Sequence, residues 1–254
     1  MDANDLDSEN DPCPLILLPG LMCDVRIFAS QLRAFPTAIG APDYGEASSL
    51  TAMAELVLEA APRRFALLGH SMGARVALEV FRFAPDRVAR LALVSTGVHL
   101  PNAEEASKRH ALRDIGRQKG MAALVDAWLP PMVASARQSD EALVTPLRRM
   151  CVDAGMGRFE AQIEALLARP EVESLLPRIQ VPTLIAVGSE DRWSPPVQHE
   201  NIAARIPGAT LAVVESAGHM LPAETPGALN AAIADWLAAP ETPSPTSSHG
   251  EKTA

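Results

Sequence analysis

Cysteine is scarce. The 254 residues hold three, Cys13, Cys23 and Cys151, an odd number without metal-ligand spacing. That argues against a disulfide framework and favours a reducing compartment, so the expected location is the cytoplasm. None of the six histidines stands at ligand spacing to another histidine or a cysteine, so neither a metal site nor a cofactor is expected. Positive charge is in deficit: 22 Lys and Arg against 31 Asp and Glu give a net charge of -9. A chain with that balance is a poor partner for nucleic acid or for an anionic membrane surface. No apolar run reaches membrane-spanning length, and Met1 to Asp11 is acidic where an export leader would be basic and then apolar. What the chain does have is 48% hydrophobic residues, enough for one substantial core.

Residues 1–13 are polar and read as unfolded. Pro14-Leu15-Ile16-Leu17-Leu18, stopped by Pro19-Gly20, predicts a strand buried on both faces. Asp24 is placed to cap a helix carrying Ile27, Phe28, Leu32 and Phe35, and Thr37 to Ala41 is a weaker strand. Ser48 or Ser49 opens a helix with Met53, Leu56, Val57 and Ala60 on one face. Phe65 to Leu68 and Leu91 to Val94 are further apolar strands, separated by a helix from Met72 to Phe83 that Pro85 ends. Alternation of this kind predicts a parallel sheet with helical crossovers.

The rhythm breaks from 97 to 180, where only helical stretches occur: 104–119, 121–128, 140–153 and 158–168. Because strands resume at Pro182 to Gly188, the segment reads as a helical lid inserted into one unit rather than as a second domain. Ser194-Pro195-Pro196 opens another helix, Thr210 to Val214 forms the last strand, and a helix from about Pro226 to Ala238 closes the fold. The expected organisation is an α/β core over 14–96 and 181–238, a lid over 97–180, and an unfolded tail over 239–254.

One stretch organises the rest. Gly69-His70-Ser71-Met72-Gly73 joins a strand to a helix, and a serine in so sharp a turn exposes its hydroxyl while only very small neighbours fit around it. The helix that follows aims unpaired amides at the same spot. A serine hydroxyl is a weak nucleophile unless an imidazole takes its proton and a carboxylate fixes the tautomer of that imidazole. Asp191 and His219 each follow a different predicted strand, so both should reach the sheet edge where Ser71 lies. The order Ser, Asp, His is the one expected for a nucleophile elbow. Oxyanion donors are expected from the backbone N–H of Met72 and, after the first strand, of Leu21. The alternative reading of Pro19-Gly20 is an ordinary turn.

On these residues the chain resembles the α/β-hydrolase superfamily, and within it the lidded small carboxylesterases similar to pimeloyl-carrier-protein methyl esterases and enol-lactonases. The matching segments are Leu17-Leu18-Pro19-Gly20, Gly69 to Gly73, Gly188-Ser189-Glu190-Asp191 and Ala217-Gly218-His219. The resemblance implies Ser71 as nucleophile, His219 as general base and then acid, and Asp191 as its orienting carboxylate. It also implies backbone amides at Leu21 and Met72 as the oxyanion hole. Two departures stand out. Most relatives read His-Gly where this chain has Pro19-Gly20, and the antiparallel strand pair that relatives carry before the first parallel strand has no counterpart among the residues ahead of Pro14. A sheet of about six strands, all parallel, is therefore expected.

Other residues carry two readings. Glu190 is the rival to Asp191. His70 reads as packing under the elbow, His99 as a solvated loop residue, His110 and His199 as surface, and His249 as part of the tail. Cys23 reads as a small buried hydrophobe rather than a reactive thiol. Trp128, Trp193, Met22 and Met220 are either acyl-pocket walls or core. Arg109, Arg113, Arg148, Arg149 and Arg158 read as solvated helix faces, with reception of an acidic carrier or a carboxylate substrate as the alternative. The function expected is hydrolysis of a small-molecule carboxylic ester or lactone through an acyl-enzyme. The competing classes are acyl transfer from the same intermediate, ring-fission carbon–carbon hydrolysis, for which Met220 stands where relatives typically place Trp, and a non-catalytic binding protein.

Overall fold

Four runs of apolar residues become strands because each buries both faces at once. In the computed structural model, which describes residues 13–240, these are β1 (Leu15–Leu18), β3 (Phe65–His70), β4 (Val88–Val94) and β5 (Thr183–Gly188), buried at every position. Two edge strands flank them, β2 (Ala38–Gly40) and β6 (Thr210–Val214), both largely half-exposed or exposed. The sheet runs β2-β1-β3-β4-β5-β6 and every pairing is parallel. The expectations for 1–12 and 241–254 lie outside the described residues.

Helices α1 (Ala29–Ala34), α2 (Leu50–Ala60) and α3 (Met72–Phe83) fall among the first four strands. Ser49, not Ser48, caps α2, its hydroxyl accepting the Ala52 N–H at 3.0 Å. The segment after Asp24 is a 3-10 turn over Val25–Phe28 before α1, not one continuous helix. Asp24 still caps it by accepting the Arg26 N–H at 2.9 Å. Between β4 and β5 the chain forms α4 (Ala103–Lys119), α5 (Met121–Trp128), α6 (Glu141–Asp153) and α7 (Gly155–Leu167), without a strand. After β5 come α8 (Pro196–Ala203), α9 (Leu221–Glu224) and α10 (Pro226–Ala238). Ser194 does not cap α8; its N–H is held by Asp191 instead, and Pro195 occupies the cap position. No helix of the described residues is long and apolar enough to cross a membrane.

The topology decides where a site can form. From β1 the chain steps to β2 on one side, then returns to lay β3 on the other, so the loops after β1 and β3 diverge from neighbouring strand ends. A crevice opens at the carboxyl edge wherever an open sheet reverses its strand order in this way. The Leu18↔Gly69 register sets Gly20 against His70 and Ser71. Two glycines make the approaches possible. A Cβ at Gly73 would sit 2.0 Å from the Leu18 carbonyl oxygen, and one at Gly188 would sit 2.2 Å from that of Ala217. Both clashes are with backbone, which cannot swing aside. Gly73 thus lets α3 close on β1, and Gly188 lets the loops after β5 and β6 meet.

Candidate active site

Ser71 occupies a turn of one residue between β3 and α3, with φ 56 and ψ -114. A left-handed φ at a residue bearing a Cβ costs energy and persists only where the surroundings enforce it. Here the Ser71 N–H donates to the Val94 carbonyl at 2.8 Å, and the Thr96 hydroxyl donates to the Ser71 carbonyl at 3.0 Å. The last residue of β4 and the loop after it therefore grip the elbow from both sides.

His219 approaches from the loop after β6. Its Nε2 lies 2.9 Å from Ser71 Oγ, and its Nδ1 lies 2.8 Å from Asp191 Oδ2. Asp191 is 2% exposed and His219 3%. The other Asp191 oxygen accepts the Trp193 and Ser194 N–H groups, at 2.9 and 2.8 Å. Burial works to raise the Asp191 pKa, but the His219 charge and the donated hydrogen bonds outweigh it and hold the carboxyl below its ordinary value. With a carboxylate facing Nδ1, the ring proton belongs on that nitrogen. Nε2 is then left as the acceptor facing the serine hydroxyl. Glu190 is turned elsewhere: its Oε2 accepts the Ser135 N–H at 3.1 Å.

The loop that carries His219 is anchored by groups whose sequence context did not mark them. Its N–H donates to the Met132 carbonyl at 2.8 Å, and its carbonyl accepts from His70 Nε2 at 2.8 Å. Glu224, 2% exposed, accepts the Gly218 and Ala134 N–H groups at 3.0 and 2.8 Å, tying this loop to the segment after α5. Burial pushes the Glu224 carboxyl up. His199 corrects the surface reading. It is fully buried, its Nε2 accepting the Thr96 N–H at 2.8 Å, because α8 packs that ring beneath the loop after β4.

Beside Ser71 lies a cavity of about 270 Å³, bordered by Leu21, Met72, Trp128, Met132, Leu166, Trp193 and His219 among others. Of the expected site residues, Ser71, His219, Leu21, Met72 and Trp193 meet here, with Asp191 behind the imidazole. Met22 and Met220 do not line it. Both are fully buried, and the left-handed turn at Met22 (φ 57) sends its side chain into the core. The same turn is braced from α7: the Met22 N–H donates to the buried Gln162 side chain at 2.9 Å. Cys23 is buried against Cys151, whose hydrogen bond, ahead of burial itself, pushes the Cys23 thiol well up. Such a thiol is inert. Among the described residues no group of three or more His, Cys, Asp or Glu side chains could hold a metal ion.

The model of the alpha/beta hydrolase family matches residues 15–232. The chain belongs to that family. Among curated proteins, a pimeloyl-[acyl-carrier protein] methyl ester esterase from Neisseria meningitidis is 28% identical over 222 residues, covering 80% of this chain and 70% of that one. Among solved structures, a thermophilic esterase from Thermogutta terrifontis, with malate bound, superposes with a TM-score of 0.78 at 26% identity over 89% of each chain. The enol-lactonase from Burkholderia xenovorans gives a TM-score of 0.77 at 25% identity, over 91% of this chain and 93% of that one. This alpha/beta hydrolase carries its fold on six parallel strands.

Arg109 corrects the solvated-face reading within this hydrolase: it is 5% exposed, paired with Glu105 and stacked 5.6 Å from the Trp193 ring centroid. Arg113, Arg148 and Arg158 are half-buried and paired with Asp114, Asp126 and Asp43, while Arg149 is exposed. His70 packs edge-on against Phe28 and 5.4 Å from the His219 ring.

These buried histidines set an acid limit on stability. Burial, joined by the His219 charge, lowers His70 to about 3, and burial lowers His199 to about 4. Unfolded, each titrates near ~6.5. Between those values the unfolded chain binds more protons, so stability is full above the unfolded pKa and is lost as pH falls through the window. Each group contributes a slope of up to about 1.4 kcal/mol per pH unit. Urea unfolding from neutral pH downward is expected to lose midpoint steadily below about pH 6.5. His70→Gln, which keeps a donor for the His219 carbonyl, should flatten that slope; an unchanged slope would assign the acid loss to other groups.

Proposed function

We propose that this chain is a serine hydrolase that cleaves a carboxylic ester or lactone through an acyl-enzyme. The observation that carries the reading is the continuous hydrogen-bonded line from Asp191 through His219 to Ser71 Oγ, ending at a cavity. In this mechanism His219 Nε2 takes the hydroxyl proton as Ser71 Oγ bonds to the acyl carbon. Negative charge then grows on the former carbonyl oxygen. The backbone N–H groups of Leu21 and Met72 stabilise it, being fixed donors that need no reorganisation at that moment. Collapse expels the alkoxide with the proton from His219. Water, deprotonated by the same imidazole, then attacks the acyl-enzyme and frees Ser71. Asp191 keeps the ring in the productive tautomer and offsets the imidazolium charge that appears in each step.

The helices between β4 and β5 serve as the lid. They supply Trp128 and Leu166 to the cavity, and the segment after α5 adds Met132, so that one side of the reacting centre is walled by apolar side chains. Relatives named as methyl ester esterase, esterase and enol-lactonase support the choice of bond. An alkyl fluorophosphonate, a neutral probe that reacts only with an activated hydroxyl, tests the core of the proposal. Intact-mass analysis is expected to give one adduct on the wild-type chain, mapped by peptide sequencing to Ser71, and none on Ser71→Ala. An adduct elsewhere, or none at all, would sink the reading.

A further inference from the structure

In a chain with nine more acidic than basic residues, one wall of the cavity beside Ser71 is basic. Arg75, Arg109 and Arg169 border it against Glu105, and all three arginines are buried, at 5%, 5% and 4% exposure. The Glu105 carboxylate is shared, whereas Glu104, which also borders the cavity, is taken up by Lys108 at 2.7 Å. Arg109 donates to Glu105 at 2.9 and 2.8 Å, and Arg169 at 2.7 and 2.6 Å. Arg75 donates to the His99 carbonyl at 3.2 Å, a group with no formal charge. Burial and repulsion from Arg169 and Arg109 lower Arg75 to about 9, which leaves it cationic at neutral pH. A purely structural ion cluster in so dry a place would be charge-balanced, since an unpaired buried charge is costly. Three guanidiniums on one carboxylate are not balanced, and the surplus faces the cavity that holds the serine.

We propose that Arg75, backed by Arg109 and Arg169, is an anion subsite that receives a carboxylate carried by the substrate a few bonds from the scissile carbonyl. Arg75 stands one helical turn beyond Ser71 on α3, about 6 Å along the axis, which suits a short spacer. The planar guanidinium fork matches a carboxylate with two parallel hydrogen bonds, a geometry that lysine cannot supply. Glu105 then has a defined job: it orients Arg109 and Arg169 without neutralising the site. The position of the subsite relative to the broken bond rests on the serine-hydrolase reading; the binding of a carboxylate does not.

The test compares monomethyl succinate, glutarate and adipate with their dimethyl counterparts, which mask the free carboxylate at nearly constant shape. For the best-fitting chain length, wild-type kcat/KM is expected to favour the monoester ~10- to 100-fold, the scale of a charged hydrogen-bonded pair. In Arg75→Gln that ratio should fall to near parity. Equal rates for monoester and diester at every length, or a preference that survives in Arg75→Gln, overturns the subsite. A measurement on the unaltered chain covers failure of the variant to fold. Free glutarate or adipate should compete with 4-nitrophenyl acetate in the wild type, and absence of competition also overturns the subsite. Calorimetric titration of Ser71→Ala with the same dicarboxylates separates the two proposals. Binding that the added Arg75→Gln change abolishes, alongside a wild-type chain that cleaves none of these esters, would keep the subsite and remove the hydrolase reading.

Discussion

Replacing Ser71 with alanine is expected to lower kcat for a short nitrophenyl ester by ~10⁶, with the fold intact. The size follows from what remains. On the proposed mechanism no acyl-enzyme can form without the hydroxyl, and only the amides of the proposed oxyanion hole and the cavity walls would still favour attack by water, a residual advantage of ~10³ over solution. Stability should change little, because among the described residues the Ser71 hydroxyl has one hydrogen-bond partner, His219 Nε2, and that nitrogen faces a cavity from which water can replace the lost group. The strained φ of 56 is borne equally by serine and alanine. His219→Ala is expected to cost about as much, and the double variant no more than either single one, since the proposed nucleophile and base would act as a unit. Steady-state rates of the three variants, with urea midpoints measured alongside, give the result. Rates for Ser71→Ala equal to wild type would end the mechanism. Additive losses would break the claim that the two residues act as a unit.

What the sequence made legible was whatever followed directly from a buried strand. β1, β3, β4 and β5 each contain an apolar run of four or more residues, and Ser71, Asp191 and His219 lie within a few residues of three strand ends. A parallel sheet brings such positions to one edge whatever the loop details. Legibility failed where burial is decided by a partner far along the chain. His199 sits between Gln198 and Glu200 on a short helix, a context that reads as solvent-facing, yet its ring is claimed by the Thr96 backbone 103 residues away. Arg109 lies on a strongly polar helix, and its burial comes from distant partners: the Trp193 ring it stacks on and Arg169, which shares Glu105 with it from 64 residues along the chain. Gln162 and Glu224 are lone polar residues whose neighbours predict nothing about the backbone N–H groups they hold. Met22 and Met220 failed in the opposite sense. Adjacency to site residues suggested pocket walls, but neighbouring side chains point different ways, and both ended in the core.

Asp191→Asn is expected to lower kcat by ~10⁴ while leaving the geometry of the site nearly unchanged. The reasoning turns on which way the new amide faces. Asp191 Oδ1 accepts two backbone N–H groups, from Trp193 and Ser194, and Oδ2 faces His219 Nδ1. In the asparagine variant the two backbone donors claim the carbonyl oxygen, because an NH₂ group there would face them donor to donor. The NH₂ is thereby turned toward His219 Nδ1, which must accept. The ring proton then moves to Nε2, where it points at the serine hydroxyl, and the nitrogen meant to take a proton already carries one. Glu190→Gln removes a charge one residue away, but its carboxylate holds the Ser135 N–H and not the ring, so kcat should remain close to that of wild type. Steady-state kinetics of the two variants, with proton NMR of the imidazole N–H in each, distinguish the outcomes. If Glu190→Gln proved the crippled enzyme and Asp191→Asn the active one, the carboxylate assignment would reverse, and with it the physical reason that Ser71 is reactive.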